Sequence, residues 1–308
     1  MKRAIFILIT LVFANLFGQI EKHVTLQTET GKLRGTLLLP ETRIKVPVAL
    51  IIAGSGPTDR NGNQPGMQNN SLKLLAKGLA KQGIASLRYD KRGVGKSKNV
   101  VVDENKLRFE HYIEDAIQWI ELLNKNKKFN DIIVIGHSQG SLIGMQASRI
   151  EIVDKYISIA GHAAPASELI KKQLKSQPQL YEQSLPIINK LKQEKTVQEV
   201  PQKLYSIFRP SVQPFLISWF KYDPIQEIAK LEKPIMIVQG TTDIQIEVNN
   251  ANLLAMANPN AQKLIIKNMN HIMKKSSKDL QKNIATYNQP DLPLVNGVVD
   301  SLAQFIKE

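Results

Sequence analysis

The stretch from Ile132 to Gly144 constrains the fold of this 308-residue chain more than any other. A continuous apolar run, Ile132-Ile133-Val134-Ile135, reads as a strand buried on both faces, as in a parallel sheet. It breaks at Gly136-His137-Ser138-Gln139-Gly140, after which Ser141-Leu142-Ile143-Gly144 starts a helix. A bare Gly-x-Ser-x-Gly is most often a flexible polar loop. Between a strand and a helix it becomes a sharp, strained turn that pushes a serine hydroxyl out of the sheet. Gly136 and Gly140 keep side chains off that turn. Gly140 and Gly144 share a helix face, which lets the helix lie close on the sheet with its N-terminus toward the serine.

The rest of the chain alternates strand and helix around this unit. His23 to Thr28 and Leu33 to Leu39 form an opening hairpin about the turn Glu29-Thr30-Gly31-Lys32. Val48 to Ala53 is a buried strand ending in the loop Gly54-Ser55-Gly56-Pro57-Thr58-Asp59-Arg60-Asn61-Gly62-Asn63. Ser71 is placed to cap an amphipathic helix through Gln82 that Gly83 closes. Ile84 to Tyr89 is the next strand, and Asp90-Lys91-Arg92-Gly93-Val94-Gly95-Lys96-Ser97 follows it. Those last four residues imitate the end of a phosphate-binding loop, but Asp90 stands where its first glycine belongs, which excludes nucleotide binding there. Leu107 to Asn124 is helical with a core-facing stripe, and Val153 to Gly161 is a strand. From His162 to about Pro224 the alternation lapses into Lys-, Gln- and Leu-rich helical patches broken by six prolines, a pattern of an inserted cap. Its Phe208, Phe215, Ile217, Trp219 and Phe220 either line a pocket or form the cap's own core. Pro234 to Asp243, Val248 to Met256, Ala261 to Ile266 and a final helix to Ile306 complete the series.

Three residues stand just past the ends of three successive strands: Ser138, Asp243 and His271. That edge of a parallel sheet is where such folds bind ligands. Serine hydroxyl is a poor nucleophile at neutral pH, imidazole is a base near its working pH, and a carboxylate can hold the ring in one tautomer. The order serine, acid, histidine is one of three known for this chemistry. The backbone N–H groups of Gln139 and Ser55, with help from Gly56, would meet the oxyanion. Asp223 is the alternative acid. The side chain of His137 is expected to point away from the serine and to pack; His162 could line the pocket mouth; His23 and His111 are expected to be exposed. Asp59, Arg60 and Asp90 are read as braces of the surrounding loops.

Composition narrows the rest. The chain has no cysteine, which excludes disulfides, thiolate metal sites and a cysteine nucleophile. Its 41 Lys and Arg against 27 Asp and Glu give a net charge of +14, yet the lysines are scattered, with no basic stripe interleaved with aromatics, so no nucleic-acid partner is expected. No metal-binding motif or other cofactor signature is present, and none is needed for serine chemistry. Lys2-Arg3, an apolar run from Ala4 to Ala14 and small Gly18 read as a signal peptide over 1–18, cleaved before Gln19, which predicts a secreted or periplasmic protein. The apolar run is short for a bilayer core of about 30 Å.

The loops 54–63, 88–97, 136–140 and 240–243, in that joint order, resemble secreted bacterial α/β-hydrolases of the carboxylesterase and serine-aminopeptidase-like type. That resemblance implies the α/β-hydrolase fold, a mostly parallel eight-stranded sheet with a core in two parts, 19–161 and 226–308, and a helical cap at 162–225. It also implies hydrolysis of carboxylic esters through an acyl-enzyme. Ala53 replaces the histidine common before the first loop glycine, a departure that backbone donors tolerate. Two alternatives carry different expectations. A peptidase releasing N-terminal residues needs a cap acid for the amine, with Glu168, Glu182 and Glu194 as candidates. A silent binding scaffold would be expected to lack one of the three residues.

Overall fold

The computed structural model describes residues 19–100 and 103–308, so the expected leader over 1–18 lies outside the described residues. Eight strands form one sheet: β1 (Gln19–Thr28), β2 (Gly31–Pro40), β3 (Val46–Ile52), β4 (Ala85–Tyr89), β5 (Phe129–His137), β6 (Lys155–Ile159), β7 (Ile235–Gly240) and β8 (Gln262–Ile266). Their order is β1-β2-β4-β3-β5-β6-β7-β8. The β1–β2 hairpin and the β2–β4 pair are antiparallel and every other pair is parallel, so six strands run the same way from β4 to β8.

Side chains alternate across a strand, and here the alternation divides the core. Val48, Leu50 and Ile52 of β3 and Ile132 and Val134 of β5 face one layer. Ala49, Ile51, Ala53, Ile133 and Ile135 face the other. Helices α1 (Ser71–Lys81) and α11 (Val298–Lys307) cover the second face; α2 (Phe109–Asn124), α3 (Gln139–Ala147) and α9 (Val248–Ala257) cover the first. Burial on both faces explains why the central strands are unbroken apolar runs.

Between β6 and β7 the chain forms α4 (Ala166–Leu174), α5 (Pro178–Lys192), α6 (Tyr205–Phe208), α7 (Gln213–Phe220) and α8 (Pro224–Ala229). This segment does not pack on itself alone. Phe208, Phe215 and Trp219 join the core of the first face, with Trp219 stacked on Phe109 of α2 at 5.8 Å. The Phe109 amide donates to Ser218 Oγ at 2.7 Å across the same contact. One further helix, α10 (Leu280–Ala285), lies after β8 where no periodicity announced it. Among the described residues no helix is long and apolar enough to cross a membrane.

Two boundaries differ from expectation for physical reasons. Asn70 stands at the N-cap position of helix α1, in the left-handed region at φ 53° and with no side-chain cap bond; Ser71 is the first helical residue, buried beneath Gly62, and its amide donates to Asn69 Oδ1 at 2.8 Å. Helix α2 starts at Phe109 because Glu104–Lys106 forms a separate 3₁₀ turn.

Candidate active site

The turn from β5 into α3 is built on close backbone approach. Ser138 has φ 55° and ψ −120°, a conformation a side-chain-bearing residue adopts only when its surroundings impose it. A Cβ on Gly136 would stand 2.2 Å from the Gly140 carbonyl oxygen, and one on Gly140 would stand 2.3 Å from that of Ile52. Both positions therefore admit only glycine, and the Ser138 amide is tied to the Ile159 carbonyl of β6 at 2.9 Å. Gln139 begins α3, buried, with its amide among the unpaired donors of a helix N-terminus.

His271 and Asp243 come from the loops after β8 and β7. Nδ1 of His271 donates to Asp243 Oδ2 at 2.8 Å. Asp243 Oδ1 accepts from the amides of Gln245 (2.8 Å) and Ile246 (2.9 Å), and Gln239 Nε2 adds a bond to Oδ2 at 3.0 Å. Burial acts to raise this carboxyl, but His271 and the two amides outweigh it and hold it below its ordinary range. The histidine loop is fixed by the Asn270 side chain, which donates to Thr286 Oγ1 at 2.7 Å and accepts from the Lys274 amide at 2.9 Å. Ser138 and His271 line one narrow cavity of about 50 Å³, together with Gly54, Ser55, Met67 and Tyr287.

The glycine loop after β3 forms the facing wall. Asp59 Oδ1 accepts from the amides of Asn61 and Asn63 at 2.8 and 2.9 Å. Asp90 takes the Arg60 amide at 2.8 Å and its guanidinium at 2.7 Å. These three residues brace the loop as their positions in the sequence imply. Gly54 touches the elbow: a Cβ there would lie 3.2 Å from Ser138 Cβ. A second cavity of about 530 Å³ adjoins this wall, lined by Gly56, Gln139, Tyr112, Val212, Phe215 and Arg209 among others.

Several other residues are placed differently from expectation. His137 packs, buried, as expected, but against the histidine loop and in the cavity wall: Nε2–H donates to the His271 carbonyl at 2.8 Å, and the two rings lie 4.9 Å apart. Its tautomer follows, because a carbonyl only accepts. Burial, helped by neighbouring His271, pushes its pKa down to about 4. The position inside the motif was the only sequence signal for this role. His162 lines neither cavity; it is buried, donates from Nδ1 to the Ala164 carbonyl at 2.7 Å and sits edge-on to Trp219. His111 is half-buried, its Nδ1 accepting from the Arg108 amide at the start of α2, whereas His23 is exposed as expected. Asp223 caps α8 through the Ile225 amide at 3.0 Å and is not beside His271's ring. Of the cap aromatics, Phe215 lines the larger cavity, while Phe208 and Trp219 belong to the core. Glu168 pairs with Lys171 and Lys192, and Glu194 with Lys221, and neither cavity includes them or Glu182. Among the described residues no three His, Asp or Glu side chains are grouped to hold a metal ion.

Residues 66–213, just under half of the chain, match the family described as serine aminopeptidase, S33. Est1E of Butyrivibrio proteoclasticus superposes with a TM-score of 0.62 at 17% identity, covering 93% of this chain and 99% of its own. An esterase of Pyrococcus furiosus gives 0.59 at 17% identity, over 94% and 91%. The chain has the α/β-hydrolase fold. The hydrolase GrgF of a Penicillium species shares the same scaffold, with a TM-score of 0.57 at 16% identity over 94% of this chain and 98% of its own. No curated protein is detectably similar in sequence. On the sheet of this α/β-hydrolase fold, Ser138, Asp243 and His271 all lie at the carboxyl edge, where parallel strands open toward a ligand.

Proposed function

We propose that the protein is a serine hydrolase that cleaves carboxylic esters through an acyl-enzyme on Ser138. The observation that carries this reading is the 2.8 Å bond from His271 Nδ1 to Asp243, made in a ring that shares a cavity with the strained Ser138. With Nδ1–H committed to Asp243, Nε2 bears the lone pair that takes the serine proton as Oγ attacks the ester carbonyl. The tetrahedral oxyanion is met by the Gln139 and Ser55 amides. His271 then returns the proton to the leaving alcohol, and a water repeats the sequence to release the acid. Asp243 stabilises the imidazolium formed in each half-reaction without itself taking the proton.

Esters are favoured over peptides with a free amine because, among the described residues, no uncommitted carboxylate faces either cavity. Glu104, the acid in the larger one, is engaged by the Arg209 guanidinium and the Ser211 hydroxyl. That cavity is walled by Tyr112, Val212 and Phe215 and adjoins Gln139, which suits an apolar acyl or alkoxy group. The leader-like sequence over 1–18 supports a reaction outside the cytoplasm, carried out by a mature chain starting at Gln19. A fluorophosphonate probe followed by peptide mapping tests the nucleophile: a single adduct on Ser138, lost in Ser138→Ala, is expected. Short p-nitrophenyl esters, methyl ferulate and aminoacyl amides assayed side by side then test the substrate class. Ferulate enters the panel because Est1E has been solved with ferulic acid bound. Turnover of the amides alone would replace the esterase reading with a peptidase one, and an unlabelled folded protein would favour a silent scaffold.

A further inference from the structure

Lys91 follows β4 and is 1% exposed, yet among the described residues it has no carboxylate partner. The carboxylate of Asp90 next to it is taken by Arg60 and the Lys96 amide. The ammonium instead donates to the Gly54 carbonyl and lies 3.4 Å from that of Ala53. Its other neighbour is the Tyr112 ring, 5.9 Å away at the centroid. Burying a cation against two carbonyls and a ring is costly, and burial accordingly lowers the lysine's pKa to about 7, with Asp90 opposing. A buried apolar residue would avoid that cost, so packing alone does not account for the side chain.

What the ammonium holds is the peptide linking Gly54 to Ser55. No peptide among the described residues is cis, and in a trans peptide the C=O and N–H point in opposite directions within one plane. With its carbonyl drawn toward Lys91, this peptide directs the Ser55 N–H the other way. Lys91 is not part of the cavity wall, whereas Gly54, Ser55 and Ser138 are. We propose that Lys91 is a positioning residue for the oxyanion hole, fixing the 54–55 peptide so that the Ser55 N–H faces the carbonyl attacked by Ser138. The segment needs such a hold. Gly54 and Gly56 flank Ser55, Gly56 already has φ +66°, and a glycine on each side lets a peptide turn over easily. A turned peptide would present the Gly54 carbonyl to the oxyanion, replacing a donor with a repelling acceptor. Through the peptide bond the cation also polarises the N–H and strengthens it as a donor.

This inference rests on the serine-hydrolase reading, and the experiment separates the two. The full mature chain is compared with Lys91→Met, which removes the donor at similar length, and Lys91→Gln, which retains a neutral N–H. For each, kcat and KM on a short p-nitrophenyl ester are measured beside the Kd of a trifluoromethyl ketone, whose hemiketal oxyanion occupies the hole. Losing one oxyanion donor typically costs about 10²–10³ in kcat, so Lys91→Met is expected to lower kcat about 10- to 100-fold with KM nearly unchanged. The ketone should weaken by the same factor, and Lys91→Gln should recover part of both. A folded Lys91→Met with kcat and ketone affinity within about twofold of the parent would overturn the assignment. So would a loss of kcat without a matching loss of ketone affinity, or failure of both variants to fold, which would make Lys91 a determinant of the fold. A parent chain that neither turns over esters nor binds the ketone would remove the serine-hydrolase reading itself and this inference with it.

Discussion

At the scale of single residues, the site divides into groups that would touch a substrate and groups that hold them. Removing the nucleophile of such a unit costs about 10⁴–10⁶ in kcat, the loss expected for Ser138→Ala in a steady-state ester assay. Asp243→Asn would leave the geometry nearly intact but destroy the donor–acceptor match with Nδ1, and about 10³–10⁴ in kcat should go with it. Asp223→Asn, by contrast, touches only the cap of α8, so kcat should hold and stability should fall by no more than about 1 kcal/mol. Equal kinetic damage from the two would show that the acid has been misassigned. His137 brings a pH dependence whose sign is fixed by burial. Its folded pKa of about 4 lies below the ordinary histidine value, so between pH 6.5 and 4 the unfolded chain holds a proton that the folded one refuses. Its contribution to stability is complete above pH 6.5 and is lost as the pH falls toward 4, by on the order of 3 kcal/mol at most. Urea midpoints across that range should fall more steeply for the parent than for His137→Gln. Parallel curves would remove the claim.

Among the elements, the β5–α3 unit was legible because everything it needs is local: an apolar strand, two glycines at the points of closest approach, and a helix after them. The same locality makes it brittle. A methyl on Gly140 has no room to relax, since the 2.3 Å contact is with backbone of β3, and Gly140→Ala should cost about 3 kcal/mol or more and abolish labelling of Ser138. A thermal scan with the fluorophosphonate assay checks both halves. The unit after β8 was not legible, because it is held by side chains reaching across long separations. Asn283 Nδ2 donates to the Thr242 carbonyl 41 residues away at 2.8 Å, and Gln245 reaches the Tyr287 hydroxyl at 3.1 Å. No periodicity encodes such contacts. Lys91 was hidden for a similar reason. In the sequence it is one member of a run that imitates a phosphate loop, and only the return of the chain shows that its partners are Ala53 and Gly54, 38 and 37 residues earlier. The start of α1 is a smaller case: Ser71, a good cap by type, is drawn into the helix and buried under Gly62, and Asn69 Oδ1 takes its amide.

For the whole molecule, the relation between cap and sheet decides how the protein unfolds. A lapse in the βα alternation marked the segment 162–225 as an insertion, and insertions often fold as separate units. Here the interface argues otherwise. Phe109 and Tyr112 of α2 are covered by Phe215, with Trp219 on Phe109 as well, and the Phe109 amide and the Tyr222 hydroxyl find their partners across the boundary in Ser218 and Glu110. The core of the first face runs without a break from β5 through α2 into α5 and α7. Taking the cap away would uncover several large aromatic side chains at once, each worth about 1.5–3 kcal/mol of burial, against a total stability of about 5–15 kcal/mol for a protein of this kind. Replacing 162–225 by a short Gly-Ser linker should therefore yield an aggregating or molten chain, with no near-ultraviolet dichroism, in place of a smaller open hydrolase. The intact chain should unfold in a single calorimetric transition whose measured and van't Hoff enthalpies agree. Two resolved transitions, or a folded and monodisperse capless chain, would mean that the shared aromatic core is an interface between separate bodies. In that event the larger cavity beside Gln139 would be free to open and close with the cap.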